Sequence, residues 1–153
     1  MIYLDNAATT KIHPAVWQAM QDIEQNNFFN ANTLYKGGIN SAQIVEQART
    51  ILMQKLHATN GQLLFTNTAT QANHLIINHC IRRPQQELVI TAGDHNSIYL
   101  AAKERSNQGY TVHTVPLRTD GTIDIEAIKT MVTDQTSLFM FSLSIPYIFM
   151  FAV

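Results

Sequence analysis

The sequence predicts an α/β protein built on a parallel sheet with flanking helices. From residue 63 onward short apolar runs alternate with stretches of helical periodicity, the pattern of a right-handed parallel sheet with crossover helices. Helix-start signals follow the runs, a capping-box spacing at Thr68 and Gln71 and a capping Asp124 after the turn Asp120-Gly121. A chain of 153 residues also suffices for one domain, which at that size buries about 68–70% of the surface exposed when unfolded.

Two helices are expected ahead of this pattern. From about residue 13, Val16, Ala19, Met20 and Ile23 recur at intervals of three and four, and Pro14 suits a first helical turn. Asn26 to Gly38 is polar, contains a glycine pair and reads as a loop. A second helix starting near Asn40 or Ser41 places Ile44, Ala48, Ile51, Leu52 and Leu56 on one stripe, with Asn60-Gly61 as its end.

The alternation then runs as strand Leu63–Thr66 and a helix from Ala69, strand Leu88–Thr91 and a helix from about Asn96, strand Tyr110–Val115 and a helix from about Ile125. In the last of these helices Ile125, Ile128 and Val132 form the stripe expected to be buried. Residues 137–153 carry no charge and, apart from Ser137, Ser142, Ser144 and Pro146, are all apolar. Ser137–Ser142 fits a buried central strand, while the second half fits nothing that precedes it. A membrane span there would be at the lower length limit, with Pro146 near its centre and no basic flank. The expected organisation is a domain over 1–142 with a departing apolar tail, 143–153.

Ten Lys and Arg against eleven Asp and Glu, with no run of like charge, give no electrostatic footprint for nucleic acid or an anionic membrane. A small neutral or anionic ligand is the better expectation. The N-terminus lacks the basic stretch, apolar core and cleavage site of a secretory signal, so a cytoplasmic location is expected. Cys80 is the single cysteine and makes no disulfide within the chain; the six histidines show no metal-ligand spacing. No metal is expected.

Two segments carry chemistry. Phe65-Thr66-Asn67-Thr68-Ala69-Thr70-Gln71 places a helix N-terminus at Ala69–Gln71, whose free amides and dipole favour an anion at the carboxyl edge of a sheet. The hydroxyl of Thr70 adds a donor. Taken alone, this is also what many capped helices look like. In Leu88-Val89-Ile90-Thr91-Ala92-Gly93-Asp94-His95-Asn96-Ser97, His95 falls just past a strand's carboxyl end. There an imidazole can stack on a flat ligand or move a proton, or simply be a solvated turn histidine.

In this order the residues resemble the cysteine desulfurase branch of the class V aminotransferases. Tyr3-Leu4-Asp5-Asn6-Ala7-Ala8-Thr9-Thr10 is similar to the family's opening, the segment from Phe65 to Gln71 to its phosphate loop, and Asp94-His95-Asn96-Ser97 to its Glu-His-Asn-Ser segment. Asp120-Gly121-Thr122-Ile123-Asp124 is similar to a turn at the corresponding place. The resemblance runs from residue 2 to about 142. It implies part of the large domain of a fold-type I transferase dependent on pyridoxal 5'-phosphate (PLP), a homodimer acting on a small amino acid. Ala69 and Thr70 are then expected to hold the cofactor phosphate, and His95 to stack on its ring and assist proton transfer. Asn6, Ala7 and Ala8 are expected near the substrate pocket. The family's reaction takes sulfur from cysteine, leaving alanine and an enzyme persulfide.

Three parts of that chemistry have no counterpart here. None of Lys11, Lys36, Lys55, Lys103 and Lys129 stands in a Ser-x-His-Lys context, and the family's pyridinium-pairing Asp and persulfide Cys segments also fall later in the chain. Cys80, in Ile77-Asn78-His79-Cys80-Ile81, reads as a buried structural thiol within a helix. Leu143-Ser144-Ile145-Pro146-Tyr147 replaces an Asn-containing loop, so the resemblance ends there. The expectation is a truncated family member, inactive alone, marginally stable and prone to aggregate; the alternatives are a non-catalytic remnant and a small membrane-tailed protein.

Overall fold

The computed structural model describes residues 2–6, 8–58 and 60–142; the tail 143–153 lies outside them. The chain groups into two compact units, Met1–Phe65 and Thr66–Val153. The first holds α1 (Pro14–Asn26) and α2 (Lys36–Lys55). The second holds α3 (Ala69–Cys80), β1 (Glu87–Thr91), α4 (Asn96–Asn107), β2 (Thr111–Val115), α5 (Ile125–Met131) and β3 (Thr136–Phe139).

In the first unit α1 starts at Pro14, and the His13 ring caps it by accepting the Ala15 amide at 3.3 Å. Helix α2 starts at Lys36, ahead of the expected Asn40 or Ser41, and takes in the glycine pair. Glycine costs a helix about 1 kcal/mol relative to alanine, so propensity alone argues for a loop. Close approach of the preceding chain reverses that preference. A Cβ on Gly38 would lie 2.7 Å from the carbonyl oxygens of Asn30 and Thr33, and one on Gly37 2.6 Å from the Phe29 ring. Ser41, buried behind them, donates to the carbonyl of Asn27 at 2.9 Å. The helix ends at Lys55, before Asn60-Gly61, and His57 turns the chain in the left-handed region at φ 52°. The apolar stripes of both helices form, yet Val16, Met20, Ile23, Ile51, Leu52 and Leu56 stay exposed.

The expected strand Leu63–Thr66 is not formed. An extended run becomes a strand only where a neighbour takes its amides and carbonyls, and this one has no partner strand among the described residues. Arg49 occupies it instead. Its guanidinium donates to the Leu63 carbonyl and lies 5.0 Å from the centre of the Phe65 ring.

In the second unit β1 is central in a three-stranded sheet of order β2-β1-β3. It pairs in parallel with both neighbours, Val89 opposite His113 on one side and Phe139 on the other. Leu88 and Ile90 face α3 and α4, where they pack with Ile77, Ile81, Ile98, Ala101 and Ala102 into the core. On the opposite face Val89, Thr91 and Val115 are buried. Glu87 accepts there from the His113 ring at 3.1 Å and from the Thr133 hydroxyl, just past α5, at 2.9 Å. The centre of β1, Leu88–Ile90, is apolar on both faces because both are covered.

Two further expectations give way. In α5 the stripe is not buried, Ile125 and Val132 being exposed, since a helix of two turns at the sheet margin has little to pack on. Cys80 is the last residue of α3 and only half-buried. Among the described residues, no helix is long and apolar enough to cross a membrane.

Candidate functional site

Helix α3 starts where the sequence places it. Thr68 Oγ1 accepts the Gln71 amide at 3.1 Å, and the Gln71 side chain returns to accept the amide of Asn67 at 3.0 Å. The return arm thus holds the residue before the cap, fixing the entering chain. The Thr66 hydroxyl adds a bond to the Thr68 carbonyl at 3.0 Å. Ala69 and Thr70 donate their amides to no partner among the described residues, so the positive end of the helix is open.

At the end of β1 the chain turns through Asp94. One oxygen of its buried carboxylate accepts the Thr91 amide at 2.7 Å and the other accepts the Ser142 amide, also at 2.7 Å. Charge-assisted bonds of this kind are about twice as strong as neutral ones, and here they tie the carboxyl end of β1 to the chain leaving β3. His95 follows as the N-cap of α4. Its Nδ1 accepts the Ser97 amide at 3.1 Å and lies 2.9 Å from Ser97 Oγ. That oxygen, in a buried residue, receives the side-chain amide of Asn73 from α3 at 2.9 Å. The imidazole itself is exposed.

Helices α3 and α4 run side by side in the same direction. Asn73 meets Ser97 near their starts, and further along Arg105 donates to Asn78 at 2.5 Å. Both N-termini therefore lie at one end. Thr70 is three residues ahead of Asn73, roughly 4.5 Å along the axis, and His95 two ahead of Ser97. The structure so brings Ala69, Thr70 and His95 to the rim where β1 ends. It offers an anion two free amides and a hydroxyl, with an exposed imidazole alongside.

Asn6 and Ala8 belong to the first unit, where the Asp5 carbonyl accepts the amides of Ala8 and Thr9 at 3.2 and 3.4 Å; Ala7 lies outside the described residues. Among the described residues, no group of His, Cys, Asp and Glu could hold a metal ion. Sequence reasoning left Asn73, Asp94 and Ser97 without individual roles. Ser97 had a signal, standing two residues after a histidine where a cap recipient belongs. Asn73 had only its place one turn beyond Thr70, and its partner is 24 residues away.

A family model described as aminotransferase class-V matches residues 2–144. The cysteine desulfurase IscS of Rickettsia prowazekii (strain Madrid E) is 28% identical over 141 residues, 90% of this chain and 34% of the relative. Among solved structures, a NifS-like protein superposes with a TM-score of 0.83 at 24% identity, over 92% of this chain and 39% of its own. DndA from Streptomyces lividans gives 0.72 at 23% identity, over 92% and 40%. The chain spans about a third of the length of the curated relatives it matches.

Proposed function

Because this chain belongs to the class V aminotransferase family, we propose that its α3–α4 rim is the phosphate- and ring-holding half of a PLP site in a cysteine desulfurase-like enzyme. The observation that carries this reading is the Asn73–Ser97 bond, which sets an open helix N-terminus and an exposed imidazole side by side. Free amides and a positive dipole suit a phosphate, and a flat imidazole suits a flat ring.

PLP, when bound, supplies an electron sink for bonds at the substrate α-carbon. The residues of this chain would do the holding. The Ala69 and Thr70 amides and the Thr70 hydroxyl would bind the phosphate, and His95 would cover the ring and hold a proton beside it. Asp94 would keep His95 in place from below. The substrate in this reading is cysteine or a related small amino acid, the reaction removes its sulfur, and the working form is a homodimer. The family's tethering lysine, pyridinium-pairing aspartate and persulfide cysteine correspond to segments beyond the matched third. The 153 residues alone are accordingly expected to bind PLP weakly and to release no sulfide.

Titration with PLP, followed by its absorbance, tests the reading. Saturable binding that inorganic phosphate displaces and that Thr70→Ala weakens about tenfold, the worth of one charge-assisted bond, is the expected result. Equal affinity for PLP and for pyridoxal lacking the phosphate would sink it.

A further inference from the structure

A neutral imidazole has one donor nitrogen and one acceptor, and the surroundings of His95 decide which is which. The main-chain amide of Ser97 can only donate, so Nδ1, 3.1 Å away, must be the acceptor. Ser97 Oγ receives the Asn73 amide at 2.9 Å, which leaves its own proton free to point at Nδ1, also 2.9 Å away. Two donors thus converge on one ring nitrogen, and a proton placed there would face both. It would also uncap α4.

We propose that Ser97, oriented by Asn73, locks His95 in the tautomer protonated at Nε2, so that the exposed ring meets its ligand as a hydrogen-bond donor. Ser97 and Asn73 are positioning residues: they act on the ligand only through the ring. A cap alone explains the Ser97 amide but not the hydroxyl and the carboxamide stacked behind it. His13 makes the contrast within the same chain. It too caps a helix through Nδ1, accepting the Ala15 amide at 3.3 Å, but no second donor reaches it among the described residues. That the ligand is a cofactor ring rests on the reading above; the tautomer does not.

The test is nitrogen NMR on the full chain labelled with 15N-histidine, at mildly alkaline pH, in magic-angle-spinning form where the sample sediments. His95 is expected to favour Nε2–H by about tenfold or more, and more strongly than His13, as one or two net hydrogen bonds imply. Ser97→Ala lowers that ratio about fivefold, the worth of one bond, Asn73→Ala lowers it less, and Ser97→Thr restores it. An Nδ1–H or unbiased His95 in the parent chain overturns the proposal without any variant, and so does a ratio that Ser97→Ala leaves unmoved. PLP titration of the same samples separates the two readings. A locked ring that binds no PLP removes the cofactor reading and leaves the lock, whereas PLP binding by a chain with an unbiased ring does the reverse.

Discussion

The Asp94 carboxylate accepts the amide of Ser142, 48 residues away, at 2.7 Å, and so closes the carboxyl end of β1 onto the chain leaving β3. The residue after Asp94 is His95, so the same side chain that joins two strands also sets where the imidazole stands.

Asp94→Ala is expected to destabilise the second unit by roughly 3 kcal/mol, because it strands the buried Thr91 amide and the half-buried Ser142 amide, both of which now meet a charge. Asp94→Asn keeps one acceptor but turns an NH2 group toward the other amide, so it recovers about half. Urea denaturation gives the free energy, and hydrogen exchange at Ser142 reports the lost bond. A fully stable alanine variant would show that this junction contributes nothing.

Gly38→Ala is expected to destabilise the first unit by about 1–3 kcal/mol, the usual cost of overpacking, despite the gain of about 1 kcal/mol in helix propensity. The added methyl would stand 2.7 Å from two backbone carbonyls, which cannot swing aside as a side-chain tip can. Circular dichroism melts of the two chains decide it, and a more stable alanine variant would mean that α2 starts after Gly38.

The Asp120 turn should depend on pH in one direction. Its carboxylate accepts the Thr122 hydroxyl at 2.7 Å and the Thr122 amide at 2.9 Å, and these bonds hold its pKa below the ordinary 3.8. A carboxylate depressed on folding adds stability that is fully present above the unfolded value and is lost as pH falls through the folded one. The Thr122 amide resonance should therefore move only below the ordinary aspartate range, and Asp120→Asn should abolish that movement.

Exposed apolar stripes predict self-association. Trp17 and Met20 on α1 and Ile51 on α2 are each about half exposed, and apolar helix faces left uncovered in this way drive association. Light scattering should rise steeply with concentration, and the thermal transition should be broad. Met20→Lys with Ile51→Lys should delay the onset of scattering. A sharp, concentration-independent melt of a monomer would contradict this.

The sequence by itself determined the elements whose causes are local. Thr68 and Gln71 mark the start of α3, Asp124 that of α5, and the alternation of apolar runs with helical periodicity gives the parallel α/β arrangement, because caps and burial patterns act within a few residues. The ordered motifs from Tyr3 to Asp124 likewise carried the family. What depends on neighbours distant in sequence was decided only in the folded chain. Leu63–Thr66 has a strand's composition but no strand to pair with among the described residues, and Gly37-Gly38 has a loop's composition but a helix's place, because Phe29, Asn30 and Thr33 press against it. Tertiary structure also made the site one object. Composition gave Thr70 an open helix end and His95 a turn, but only the packing of α3 on α4, through Asn73 and Ser97, set them on one rim. A hydrogen bond across 24 residues leaves no periodicity to read.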